Sequence, residues 1–145
     1  MDRTDYQILN LLQNDCRATL KVIGEQVGLT APAVSERIRR MEEAGVIRNV
    51  RIDVDRRQLD CNITGFILVA PEPDKYERFC RFCEKTPAIL SHSHTIGIFN
   101  AVLRFAVRDT QELDAILSSI KRYGNSQTSV ELGLYFDHKD IPLPG

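Results

Sequence analysis

The sequence predicts an α+β chain in two parts, three short helices followed by a β-α-β-β-α-β half. Three observations predict it. Apolar residues recur at helical spacing up to Gly45, broken only by short polar or glycine interruptions. Branched residues then alternate with polar ones from Val46 to Val54, a strand-like texture. From Ile63 onward, apolar runs bounded by turn residues alternate with two amphipathic stretches in the order of a ferredoxin-like split βαβ unit.

Asp2 is a candidate N-cap for a first helix with Tyr6, Ile8, Leu9, Leu11 and Leu12 on its apolar side, closed by Gln13-Asn14-Asp15. A second helix, about Thr19 to Val27, puts Leu20, Ile23 and Val27 on one face and stops at Gly28. Thr30 caps a third, about Ala31 to Ala44, and Pro32 sits in its first turn, where the missing N–H does little harm. The link Gly28-Leu29-Thr30 is so short that helices two and three must cross steeply, as in a helix-turn-helix. Val34, Ile38 and Met41 form the buried stripe of the third helix. Pro32, Glu36, Arg39 and Arg40 then point away from the core, with Ala33 and Ser35 flanking them. Arg37 lies nearer the stripe and is expected to brace the fold. The alternation after Gly45 reads as a wing bearing Arg48 and Arg51. The expected organisation is a winged helix-turn-helix over 1–48, a connecting strand or hinge over 49–60, and a ferredoxin-like domain over 61–145.

In the second half, Ile63 to Ala70 is a strand ended by Pro71-Glu72-Pro73, and Asp74 to Lys85 is a helix with Tyr76, Phe79, Cys80, Phe82 and Cys83 inward. Ile89 to Ile96 and Phe99 to Val107 are strands turning near Gly97. Thr110 caps a helix carrying Leu113, Ile116, Leu117 and Ile120, and Thr128 to Phe136 is the last strand. Runs such as Phe66-Ile67-Leu68-Val69 are apolar on both faces. Helices cover one face of this sheet, so a second subunit is expected on the other.

The formal net charge is −1. It is unevenly spread: Arg37 to Arg57 holds seven arginines against four acids, whereas Gln58 to the end holds nine basic and eleven acidic residues. A local arginine-rich stretch permits phosphate contact, and a solvated charged face would read the same way. The longest apolar run, Phe66 to Ala70, is too short to cross a bilayer, and the polar start Met1-Asp2-Arg3-Thr4-Asp5 is no signal peptide, so a cytoplasmic chain is expected. Of the four cysteines, Cys80 and Cys83 have CxxC spacing, but no second pair completes a zinc site and both fall on the inner side of a helix.

With a helix-turn-helix as context, the third helix becomes a DNA-reading element. Arg39 and Arg40 suit guanine O6/N7 or phosphate, Ser35 suits either, Glu36 suits cytosine N4, and Pro32 and Ala33 suit a thymine methyl. Thr30 and the helix N-terminus suit a phosphate, and Arg48 and Arg51 suit the DNA backbone.

The string Asp2, Asp5, Ile8, Leu9, Leu12, Arg17, Ile23, Gly24, Val27-Gly28-Leu29, Val34, Arg37-Ile38, Glu42 and Gly45-Val46-Ile47 resembles, in register, the Lrp/AsnC (feast/famine) transcription regulators. The resemblance spans essentially the whole chain. It implies that the second half is a ligand-sensing domain and that the protein is a homodimer packed sheet to sheet, assembling further to octamers. It also implies a near-palindromic double-stranded operator and a small-molecule effector, an amino acid or related metabolite, bound between sensing domains. The family's effector loop, Gly-x-[Tyr/Phe]-Asp, stands here as Gly97-Ile98-Phe99-Asn100, with an amide for the acid. The paired threonines of its last strand stand as Thr128 and Val130, and Asp60 stands where glycine commonly follows leucine.

His92 and His94 alternate on one strand and share a face. With Asp137 or His138 they suggest a metal site; as a pair they suit a packed or interfacial position. An enzyme is not expected: there is no nucleophile–base pair, no glycine-rich phosphate loop and no cofactor motif. A non-specific architectural DNA-binding protein would share the helix-turn-helix but not the effector response.

Overall fold

The computed structural model describes residues 1–52, 54–136 and 139–143, without the side chain of Arg57. The chain divides into two compact units, 1–53 with 136–145, and 54–135.

The first unit holds α1 (Arg3–Asn14), α2 (Leu20–Val27) and α3 (Ala31–Glu43). Each begins on a side chain that satisfies an orphan backbone N–H: Asp2 accepts from Asp5, Thr19 from Val22, and Thr30 from Ala33. At Asp2 the arrangement is a capping box, because the Asp5 carboxylate accepts in turn from the Asp2 backbone N–H at 2.9 Å. Gly28 ends α2 in the left-handed region at φ 70°. Gly24 is required by the tight turn, since a Cβ there would lie 2.4 Å from the carbonyl oxygen of Leu29. The core is Ile8, Ile23, Val34 and Met41, all buried, with Leu9, Leu12, Val27, Ile38 and Ile47 packed around it.

The strand expected for the wing is not seen among the described residues 46–52. After α3 the Val46 and Ile47 N–H groups both reach back to the Met41 carbonyl, which folds the chain against the helix end. Beyond that point Val50 and Ile52 are exposed, and among the described residues no strand pairs with them. Branched side chains favour a strand only where a partner exists.

The second unit is a four-stranded antiparallel sheet in the order β2-β3-β1-β4, built from β1 (Ile63–Pro71), β2 (Ile89–His94), β3 (Ala101–Val107) and β4 (Gly124–Val130). Helices α4 (Tyr76–Lys85) and α5 (Thr110–Ile120) carry the chain between them. Ile67, Val69, Leu103, Phe105 and Val107 pack with Phe79, Cys83, Leu113, Ile116 and Ile120 into one buried core. Burying each such large side chain contributes about 1.5–3 kcal/mol.

Several boundaries differ from the sequence reading; α4 begins at Tyr76 instead of Asp74, and the last strand begins at Gly124 instead of Thr128. Asp109, not Thr110, caps α5, its carboxylate accepting from the Glu112 N–H at 2.8 Å. The strands β2 and β3 stop short of the turn, which spans 95–100 and is closed by the Thr95 N–H on the Asn100 carbonyl at 2.9 Å. The last strand does not run from Thr128 to Phe136 but ends at Val130. Its partner sets that limit: Val130 pairs with Gly65, Glu131 makes a final bond to the Thr64 carbonyl, and β1 begins at Ile63.

Asp60 is the one non-glycine residue with positive φ among those described, at 60°. The hydrogen bonds at this turn use its backbone carbonyl, which accepts from the Asn62 N–H at 3.1 Å and from Asn62 Nδ2 at 3.3 Å. A glycine keeps both. The left-handed conformation costs an L-residue about 1–2 kcal/mol, and glycine's looser unfolded chain returns about half of that. Asp60→Gly should therefore raise the melting temperature by about 2–4 °C. A lower melting temperature would show that the Asp60 side chain holds the turn.

Candidate nucleic-acid interface and effector site

Helix α3 presents the outer face read from the sequence. Pro32, Ser35, Glu36, Arg39 and Arg40 are exposed, Ala33 is half-buried, and Val34 and Met41 on the opposite side are buried at 0% and 3% exposure. Thr30 is exposed at the N-terminus of the helix, where its hydroxyl holds the Ala33 N–H at 3.4 Å. Arg48 and Arg51 are exposed on the segment that follows, as side chains on coil instead of on a wing strand.

Arg37 is a brace. One guanidinium nitrogen donates to Asp2 Oδ2 at 2.7 Å and Asp5 Oδ1 at 2.6 Å, so it closes over the capping box of α1. The Arg37 guanidinium and the Asp5 backbone N–H hold the Asp2 carboxyl below its ordinary range. Burial pushes Asp5 upward, but the Asp2 N–H and Arg37 outweigh it and the net shift is downward. Arg39 is engaged as well. Its Nε and one NH2 group clasp both oxygens of Glu36 at 3.0 and 2.6 Å, and its other nitrogen donates to Glu43 one turn on. Arg40 makes no ion pair among the described residues. These i,i+3 and i,i+4 pairs were visible in the spacing of α3, and the sequence reading passed over them.

In the second unit, Gly97, Phe99 and Asn100 lie together in the β2–β3 turn, with Gly97 at φ 153°. Thr95 Oγ1 donates to the Phe99 carbonyl at 3.0 Å, and the Asn100 side-chain oxygen is buried without a partner among the described residues. Thr128 and Val130 are not brought to this turn within one chain. They lie on β4, at the sheet edge opposite β2, where Thr128 pairs with Ile67 and so shares the helix-covered face.

His92 and His94 share that same face, opposite Leu103 and Ala101. Tyr76 Oη and His94 Nδ1 are 2.6 Å apart, and the His92 ring stands edge-on to Phe79 with centroids 5.2 Å apart. Burial, then the neighbouring His94, lowers the His92 pKa. His92 is half-buried against Phe79, whereas His94 is exposed beside Tyr76. Asp137 and His138, the other members of the suggested metal site, lie outside the described residues. No group of three or more His, Cys, Asp or Glu suited to a metal ion is found among the described residues. Cys83 is buried on α4, and burial with the adjacent Cys80 pushes its thiol up to about 12, far from a reactive thiolate. Among the described residues, no helix is long and apolar enough to cross a membrane.

The open face of the sheet is mostly apolar at its centre and polar at its edges. Phe66, Leu68 and Ala70 of β1 and Val102 and Ala106 of β3 line the middle, with half-buried Arg104 of β3 among them opposite Phe66. Ser91 and Ser93 flank them on β2, and Asn125, Gln127 and Ser129 on β4. An apolar centre with a polar rim is the anatomy of a protein interface.

Known proteins match over both units. Residues 1–42 match the AsnC-type helix-turn-helix domain, and residues 64–141 match the Lrp/AsnC ligand binding domain. The chain is 30% identical over 132 residues to the uncharacterized HTH-type transcriptional regulator YezC of Bacillus subtilis, covering 91% of this chain and 94% of that one. It is 29% identical to the HTH-type transcriptional regulator FL11 of Pyrococcus horikoshii, covering 99% of this chain and 97% of the other. A Neisseria meningitidis transcriptional regulator solved in complex with L-Met shares the fold, with TM-score 0.89 at 23% identity over 98% of this chain and 96% of that one. These relatives are regulators of transcription and not enzymes. With a helix-turn-helix DNA-binding domain and a ligand-binding domain in the same order, the chain belongs to the Lrp/AsnC family of transcription regulators.

Proposed function

We propose that the protein works as a homodimer whose two copies of α3 read a near-palindromic operator, and that a small-molecule effector, an amino acid or related metabolite, biases its assemblies. The observation that carries the reading is the division of α3: Val34 and Met41 are buried while Ser35, Glu36, Arg39 and Arg40 stand exposed. Pro32 and Ala33 meet thymine methyls, Thr30 and the helix N-terminus hold a phosphate, and Arg48 and Arg51 meet the DNA backbone. The apolar centre of the open sheet face supports the dimer. Ile96 and Ile98, at 105% and 89% exposure, and Leu132 and Tyr135, each at 101%, support further assembly of dimers into octamers. A DNA partner places such a regulator in the cytoplasm.

The effector residues Gly97, Phe99 and Asn100 sit in one turn, whereas Thr128 and Val130 lie across the sheet. A site that uses both sets needs a second copy of the chain. Coupling follows, because a ligand held between copies shifts the balance between assemblies by its differential affinity for them.

Selection from a randomised duplex library with the full-length protein should yield two half-sites spaced about 10 bp or a multiple apart. On that duplex Arg40→Ala should weaken binding at least about tenfold, the loss of one direct contact of 1–3 kcal/mol, with the oligomer unchanged. Wild-type protein that shows no salt-sensitive, sequence-preferring binding would end this reading.

A further inference from the structure

Helix α3 is not a basic helix in the ordinary sense. It carries Arg37, Arg39 and Arg40 against Glu36, Glu42 and Glu43. Arg37 is taken up by Asp2 and Asp5, and Arg39 is held from both sides by Glu36 and Glu43. The side chains of Glu36, Arg39 and Glu43 are 52%, 54% and 60% exposed, so the ladder stands on the face that would meet DNA. Both edges of the Arg39 guanidinium are in use. Glu36 takes the Nε edge in a two-point fork, and Glu43 takes the remaining nitrogen.

A phosphate that recruits Arg39 must displace two carboxylates and then sit beside them. Phosphate attraction supplies essentially all of the binding to random DNA, so the ladder opposes that binding. A base step can replace both members of the fork at once. Guanine O6 and N7 accept from Arg39 as the Glu36 oxygens do, and a cytosine N4 amino group donates to the carboxylate so released. We propose that Glu36 is a specificity-determining residue: it withholds Arg39 from phosphates on random DNA and yields it where guanine and cytosine edges replace the pair. The inference rests on α3 being the reading helix. It goes further by giving an acidic residue on that helix a role in rejecting wrong sequences.

The test uses the full-length protein, the operator selected by the wild type, and a scrambled duplex of equal length over a range of salt. Glu36→Gln keeps the shape and removes the charge. It should raise affinity for the scrambled duplex about three- to tenfold and steepen the log–log salt slope by about 0.9, one added phosphate contact. The ratio of operator to scrambled affinity should fall about tenfold as wrong sequences gain and the cytosine contact is lost. Glu42→Gln removes the same charge from a residue outside the ladder, and it should leave the ratio near the wild-type value. In an Arg39→Ala background, Glu36→Gln should lose its effect on the slope. Equal ratios and slopes for Glu36→Gln and Glu42→Gln would reduce the effect to net charge and overturn the proposal. So would an unchanged Glu36→Gln slope effect when Arg39 is absent. A wild type without operator preference would overturn the reading of α3 and this inference together; preserved preference with an unmoved ratio would overturn this inference alone.

Discussion

Leu68→Glu should turn the assembly into monomers that keep their fold and lose at least about a hundredfold in affinity for a two-half-site operator. Leu68 lies on the open face of β1, half-buried, with Val102 beside it on β3 and Gln127 on β4. In an isolated chain a glutamate here reaches water, so the buried core on the other face, Ile67 and Val69 against Phe79 and Ile120, is untouched. In a two-fold dimer packed face to face, the substitution occurs twice at the centre of one interface. Each carboxylate removed from water costs several kcal/mol, and Arg104, diagonal to it on β3, offsets only part of that for a pair buried in the interface. Light scattering reads the mass, and circular dichroism reads the fold. The DNA loss follows because two tethered half-site contacts become one. A variant that keeps the wild-type mass would show that this face does not hold the dimer.

How far each element was legible in the sequence follows from whether its cause is local. The helices of the first unit announce themselves because their caps and stripes are local: Asp2, Thr19 and Thr30 start them, and Val34, Ile38 and Met41 mark the buried side. The same arithmetic placed Arg37 near the core, but its partners lie 35 and 32 residues away and only the packed helices bring them together. The wing strand and the long final strand failed for a shared reason. Val50 and Ile52, or Leu132 and Leu134, alternate as strand residues do, yet a strand exists only where another backbone pairs with it. Residues 46–52 have none among the described residues, and β4 stops where β1 begins. For the effector residues, the sequence shows two groups and cannot show that the sheet order sets Thr128 and Gly97 at opposite edges. The Glu36–Arg39–Glu43 ladder is the reverse case, local and readable from spacing alone.

Arg37→Ala should destabilise the helix-turn-helix unit by about 2 kcal/mol, the cost of leaving a buried carboxylate short of its charged partner. Asp5 is only 8% exposed, and without Arg37 it faces Asp2 across the capping box with only the two backbone N–H groups to offset the repulsion. The brace also ties α3 to the start of α1, so its loss loosens the helix that carries the DNA-reading face. The pH dependence separates this account from simple loss of packing. Folding lowers both carboxyl pKa values from 3.8, so their contribution is present above that value and fades as pH falls through the lower folded values. The gap in melting temperature between wild type and Arg37→Ala should hold constant from neutral pH to about pH 4 and close below it. Lysine at 37 keeps the charge but not the planar guanidinium, so Arg37→Lys should recover part of the gap. A gap that stays open once both carboxyls are protonated would assign the effect to the aliphatic stem of Arg37 and not to its charge.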